Sequence, residues 1–206
     1  MSKKIVILDY GMGNLRSVEK KIKSLKAEVL ISNKQEDLLN AEKIILPGVG
    51  HFSKAMENLE KKGLLQTLNK CVLIDKKPIL GICLGLQLMA KYSEEGGVKG
   101  LGWIDANVVK FDVHDKLNFK IPQMGWNTIS IEKNSNLLQN ISTKDEFYFV
   151  HSFHLVDVDE KIILNKTNYS FDFVSAIEKD NIFGVQFHPE KSHQAGEELI
   201  KNFINL

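Results

Sequence analysis

The chain has 206 residues, 43% of them hydrophobic and 26% charged, with 27 Lys and Arg against 26 Asp and Glu. A net charge of +1 argues against a nucleic-acid or membrane surface, and this length predicts a single domain, residues 1–206, with a core that needs no staples. Two cysteines, Cys71 and Cys83, make no disulfide framework, and no secretory segment or membrane-length apolar run is read, so a cytoplasmic setting is expected.

The run Lys4–Leu8 is apolar without alternation, as in a strand buried on both faces, and a tight turn follows at Tyr10–Asn14. Leu15, Val18, Ile22 and Leu25 recur at helical spacing. Glu28–Ile31 and Ile44–Leu46 read as second and third strands, the latter running into Pro47-Gly48-Val49-Gly50. Helices are expected around Phe52–Leu59 and over Leu64–Ile74, then a strand from Ile79 that turns sharply at Cys83 into a further helix. Strands alternating with helices imply a parallel sheet with right-handed crossovers.

After about Gly96 the pattern changes to shorter strand-like runs: Asn107–Phe111, Thr128–Ile131, Glu146–Val150, Phe173–Glu178 and Ile182–Gln186. Glu178–Asn181 reads as a hairpin, and a helix from Gln194 to about Phe203 closes the chain. The expected fold is therefore α/β: an open, mainly parallel central sheet flanked by helices, with a smaller antiparallel sheet added.

Three strand ends carry chemical potential. Gly81-Ile82-Cys83-Leu84-Gly85 has the G-x-C-x-G form of a nucleophile elbow, with glycines where strand and helix nearly touch and the sulfur near the helix N-terminus. The same stretch also reads as a small buried Cys in a core strand. His188 stands at the end of Ile182–Phe187, before Pro189, with Glu190 two residues on. If the chain stays extended, Glu190 can orient the imidazole while His188 takes a thiol proton; otherwise this is a surface turn. Leu46–Gly50 offers backbone N–H groups for an oxyanion, or is an ordinary strand-to-helix turn. Parallel sheets bind ligands at the carboxyl ends of their strands, which would gather all three on one edge.

Other signals are weaker. Gly11-x-Gly13-x-x-Arg16 lacks the third glycine of a dinucleotide fingerprint, and no acid ends the second strand. His151, His154, His188 and His193 with Cys83 match no metal-ligand spacing, and His151 and His154 should face opposite ways on an extended chain, so no metal is expected. His51 and His114 read as surface residues. Met124 and Trp126, within Gln123–Asn127, read as core filler or a partner-facing turn.

Taken together, P-G-V-G, G-I-C-L-G-L-Q and G-V-Q-F-H-P-E resemble the class I, triad-type glutamine amidotransferases. Asp9–Val18, Met124–Asn127 and Tyr148–Ser152 narrow the resemblance to the glutaminase subunits of imidazole glycerol phosphate synthase, over Ile5 to Phe203. The resemblance implies Cys83 as nucleophile, His188 as acid and base, and Glu190 as its orienter. It implies Gly48, Val49 and Gly50 as the oxyanion strand, and Gln87 with the backbone at His151, Ser152 and Phe153 as the glutamine site. Asn14, Met124, Trp126 and Tyr148 match positions near a partner interface and ammonia exit. The implied partner is a (β/α)8 barrel cyclase, and no cofactor is implied. Two positions depart from the family pattern: Gln123 stands where His precedes M-G-W-N, and His51 follows P-G-V-G in place of a small residue. They leave open a paralogue whose barrel aminates a sugar. A non-catalytic scaffold subunit and a Cys hydrolase of another class also stay open at this point.

Overall fold

The structure is a computed structural model that describes residues 4–206. Five strands form the parallel part of the sheet: β1 (Ile5–Leu8), β2 (Val29–Ser32), β3 (Lys43–Gly48), β4 (Ile79–Cys83) and β14 (Ile182–Val185), in spatial order β2-β1-β3-β4-β14. The unbroken apolar runs of β1, β3, β4 and β14 are explained by burial on both faces, while the edge strand β2 is only partly buried. Val6, Leu8, Ile44 and Leu46 enter one core, while Ile5, Ile7, Ile45, Leu80 and Ile82 enter the other. Helices α1 (Leu15–Ser24) and α6 (His193–Asn205) cover the second core through Val18, Ile22, Leu199 and Phe203. The first core lies under α2 (Gln35–Asn40), α3 (Phe52–Lys61), α4 (Leu65–Asn69, continued by a π turn over Lys70–Ile74) and α5 (Leu84–Leu88).

Beyond β14 the sheet turns antiparallel. The β14 strand pairs with β13 (Phe171–Lys179), which pairs with β11 (Phe153–Val156), and β11 pairs with β7 (Asn107–Lys110). The short strands β5 (Tyr92–Ser93) and β6 (Val98–Lys99) end that edge, while β12 (Ile163–Tyr169) and β9 (Ser130–Ile131) attach to β13. A separate two-stranded ribbon joins β8 (Gln123–Thr128) to β10 (Glu146–His151). The expected architecture holds, and so does the hairpin, with Lys179 opposite Ile182.

Several elements differ from expectation. The Thr128–Ile131 strand is two pieces, the end of β8 and β9, and Gln123–Asn127 is strand rather than turn. The helix after Cys83 spans five residues only, so its dipole is slight. The β12 strand escapes a period-2 reading because polar residues point inward. Asn165 and Thr167 are buried and bonded through Ser175, whose hydroxyl donates to Asn165 Oδ1 at 2.7 Å. The α2 helix buries only Leu38, too little for a periodic signal.

Candidate active site

The carboxyl ends of β3, β4 and β14 meet side by side. Gly48 pairs with Cys83 across β3 and β4, and Val185 pairs with Ile82. Cys83 sits at the sharp turn expected of an elbow, with φ +53° and ψ −108°, a backbone that an L side chain adopts only under constraint. Close packing supplies the constraint. A Cβ on Gly85 would lie 1.8 Å from Leu46 O, so α5 can rest on β3 only through a bare backbone.

His188 lies 1% exposed. Its Nδ1–H donates to Glu190 Oε1 at 2.9 Å, with both side chains almost wholly buried. The expected pairing is present, but a 3-10 turn over Pro189–Lys191 makes it, not an extended chain, and β14 stops at Val185. Burial alone would lower the imidazole pKa. The interactions with Cys83 and with Glu190 outweigh that, raising it from 6.5 to about 9. Sulfur and imidazole are thus electrostatic neighbours, while Nε2 itself has no hydrogen-bond partner. The backbone of His188 is tied to the ribbon: its N–H donates to Tyr148 O, and Ser192 Oγ bridges Tyr148 N and His188 O.

Beside Cys83 opens a cavity of about 290 Å³, lined by Val49, Gly50, Cys83, Leu84, Gln87, Glu95, Pro122, Val150, His151, Ser152 and Phe153. This is the small end of ligand cavities, suited to a single amino acid. Glu95 is its one charged lining side chain; its Oε2 accepts from Phe52 N at 2.8 Å. Gln87 donates to Phe153 O at 2.9 Å and to Gln186 Oε1 at 3.0 Å. The His151 ring packs among Phe111, Phe149 and Phe173. Its Nδ1–H donates to Phe153 O at 2.8 Å, and burial pushes its pKa down to about 3, so it stays neutral. His154 also meets Phe111, so the two histidines do not face apart as expected. His51 and His114 are exposed, as expected, and His51 Nδ1 meets Ser53 Oγ at 3.0 Å.

Of the oxyanion candidates, Gly48 ends β3 and Val49 and Gly50 follow it, with Gly50 at φ +111°. Tyr10, not anticipated from sequence, stands over them. Its hydroxyl donates to Pro47 O at 2.8 Å, and a Cβ on Gly48 would lie 2.5 Å from it. Burial, with the nearby Cys83 charge, raises its pKa far above the ordinary phenol range, so it remains a donor. Gln186 and Glu95 were also missed. The former hid inside the G-V-Q-F-H-P-E motif as one more strand residue; the latter lies in a loop with no periodicity.

Met124, Trp126 and Tyr148 come together on the ribbon. Met124 is 64% exposed and Trp126 42%, and Trp126 lies edge-on to Tyr148 at 5.8 Å and stacks on His193 at 4.6 Å. Asn14 precedes α1 on the carboxyl side of β1.

The profile described as "Glutamine amidotransferase class-I" matches residues 6–206. The chain belongs to the class I glutamine amidotransferases. Imidazole glycerol phosphate synthase subunit HisH 2 of Methanococcus maripaludis is 49% identical over 97% of this chain and 98% of its own length. Subunit HisH 1 of the same organism is 42% identical, over 98% and 99%. Among solved structures, that of PurLQS from Thermotoga maritima has a TM-score of 0.73 at 19% identity, covering 100% of this chain and 99% of its own, a likeness of fold. This amidotransferase has no helix among its described residues long and apolar enough to cross a membrane.

Proposed function

We propose that this amidotransferase hydrolyses L-glutamine with Cys83, His188 and Glu190, and passes the ammonia to a (β/α)8 barrel cyclase. The observation carrying this reading is the convergence of a strained Cys83, the buried His188–Glu190 pair and an amino-acid-sized cavity at adjacent strand ends. The Cys83 thiolate attacks the side-chain amide carbon of glutamine, and the oxygen gains negative charge opposite backbone N–H groups of Gly48–Gly50. The imidazolium of His188 gives its proton to the departing nitrogen, so ammonia leaves and a glutamyl thioester remains. Water then loses a proton to His188 and adds to the thioester. The carbon–sulfur bond breaks, releasing glutamate and restoring the thiolate. Glu190 holds the imidazolium throughout. Glu95 faces the substrate ammonium and Gln87 Oε1 remains to accept from it.

The relatives named HisH support a histidine-pathway acceptor, with the barrel making imidazole glycerol phosphate and aminoimidazole carboxamide ribonucleotide. The ribbon with exposed Met124 and Trp126, and with Tyr148 against Trp126, is the docking surface this reading requires, and Asn14 is assigned to the same interface by the family resemblance. A second reading pairs the chain with a different, sugar-aminating barrel. It is favoured by Gln123, which stands where the family pattern has His before M-G-W-N. Glutamate release from glutamine is measured with each barrel in turn. Stimulation by the histidine-pathway cyclase supports the first reading, stimulation by the sugar-pathway barrel alone the second. No release with either removes the glutaminase assignment.

A further inference from the structure

We propose that Gln186 is part of the catalytic machinery, donating an amide hydrogen to the Cys83 sulfur in an orientation dictated by Gln87 and the carbonyl of Phe153. The inference rests on the reading of Cys83 as the nucleophile. Gln186 is wholly buried, and its Nε2 lies 3.6 Å from Cys83 Sγ. An amide can present either its oxygen or its nitrogen, so its direction needs a cause. Phe153 O can only accept. It takes one hydrogen from Gln87 Nε2 at 2.9 Å. The other hydrogen of that nitrogen then goes to Gln186 Oε1 at 3.0 Å. With its oxygen so engaged, Gln186 turns its nitrogen to the sulfur.

The sulfur therefore sits between partners of opposite polarity. As a thiol it can donate to Val150 O, 3.9 Å away; as a thiolate it can accept from Gln186. Gln186 thus favours the thiolate independently of His188. Because Gln87 and Phe153 also line the glutamine cavity, the chain of bonds joins substrate binding to the nucleophile's ionisation. The Gln186 side chain touches the reacting atom, while Gln87 acts through it as a positioning residue.

The test follows alkylation of Cys83 by iodoacetamide in the full chain as a function of pH, read on the Cys83 peptide by mass spectrometry. In Gln186→Leu the profile midpoint should rise by about one unit and the rate at neutral pH should fall about tenfold, the effect of losing one hydrogen bond to a charged group. Gln186→Glu, nearly isosteric, should raise the midpoint further by placing a carboxylate there. Gln87→Leu should give a smaller rise. Profiles that superimpose on wild type in folded Leu and Glu variants overturn the proposal. If both variants fail to fold, the Gln186 side-chain amide resonances of the wild-type protein decide. They should titrate with the Cys83 midpoint, and resonances indifferent to it overturn the proposal. Alkylation needs no glutamine, so a chain that hydrolyses none with any barrel defeats the proposed function while leaving this result readable.

Discussion

The carboxyl edge of the parallel strands and the β8–β10 ribbon differ in how they use burial. At the parallel edge, β1, β3, β4 and β14 are covered on both faces, and Cys83, His188 and Gln186 are held by packing and by bonds from residues distant in sequence. The ribbon is covered on one face only. Phe147, Phe149 and His151 point to the core, and Met124 and Trp126 lie exposed. Chemistry needs groups fixed to fractions of an ångström and shielded from water, whereas recognition needs apolar area left uncovered. The two regions are nonetheless joined: Tyr148 of the ribbon holds the backbone of His188 directly through its own O and indirectly through Ser192 Oγ, and Val150 O lies 3.9 Å from the Cys83 sulfur.

This division can be broken at either side. The largest effect expected is on turnover. Cys83→Ala and His188→Ala should each lower partner-stimulated glutamate release by roughly 10⁴-fold or more, with circular dichroism unchanged. Retained turnover would remove these residues from the mechanism. Next is Gly85→Ala, which forces a methyl against Leu46 O and should cost about 3 kcal/mol in urea unfolding. An unchanged midpoint would show that the close approach of α5 to β3 is dispensable. On the ribbon, Trp126→Ala should weaken barrel binding roughly 30-fold, measured by calorimetry, while hardly moving the thermal midpoint. A large loss of stability instead would mean that Trp126 serves the core.

The effects on pH dependence run in opposite directions. His188 holds its proton more tightly folded, at about 9, than unfolded, at 6.5. Its contribution to stability is complete below pH 6.5 and is lost as pH rises through about 9. His151 is depressed to about 3 by burial, so its contribution is present above pH 6.5 and is lost as pH falls toward 3. Urea midpoints of His188→Gln and His151→Phe against wild type should diverge from it in these separate windows. Matching pH curves would sink both assignments.

Local physics was legible where it acts over a few residues. The glycines around Cys83 and the unbroken apolar runs each constrain backbone or burial by themselves, so the elbow and the parallel sheet could be read directly, whereas the strand before His188 stops at Val185, short of the expected end. The β12 strand could not, because its inward Asn165 and Thr167 become acceptable only once Ser175 bonds them. Nor could the direction of the His151 ring, which depends on Phe111 and Phe173 arriving from other strands.

The amino-acid order by itself determined where the chain must bend and which segments must be buried. Tertiary structure alone decided which polar atoms meet: Tyr10 with Pro47, Gln87 with Gln186, and Gln186 with a sulfur 103 positions away. Turns and apolar runs are short-range consequences of sterics and solvent. The direction of a buried hydrogen bond depends on which donor and acceptor the packed sheet brings within reach.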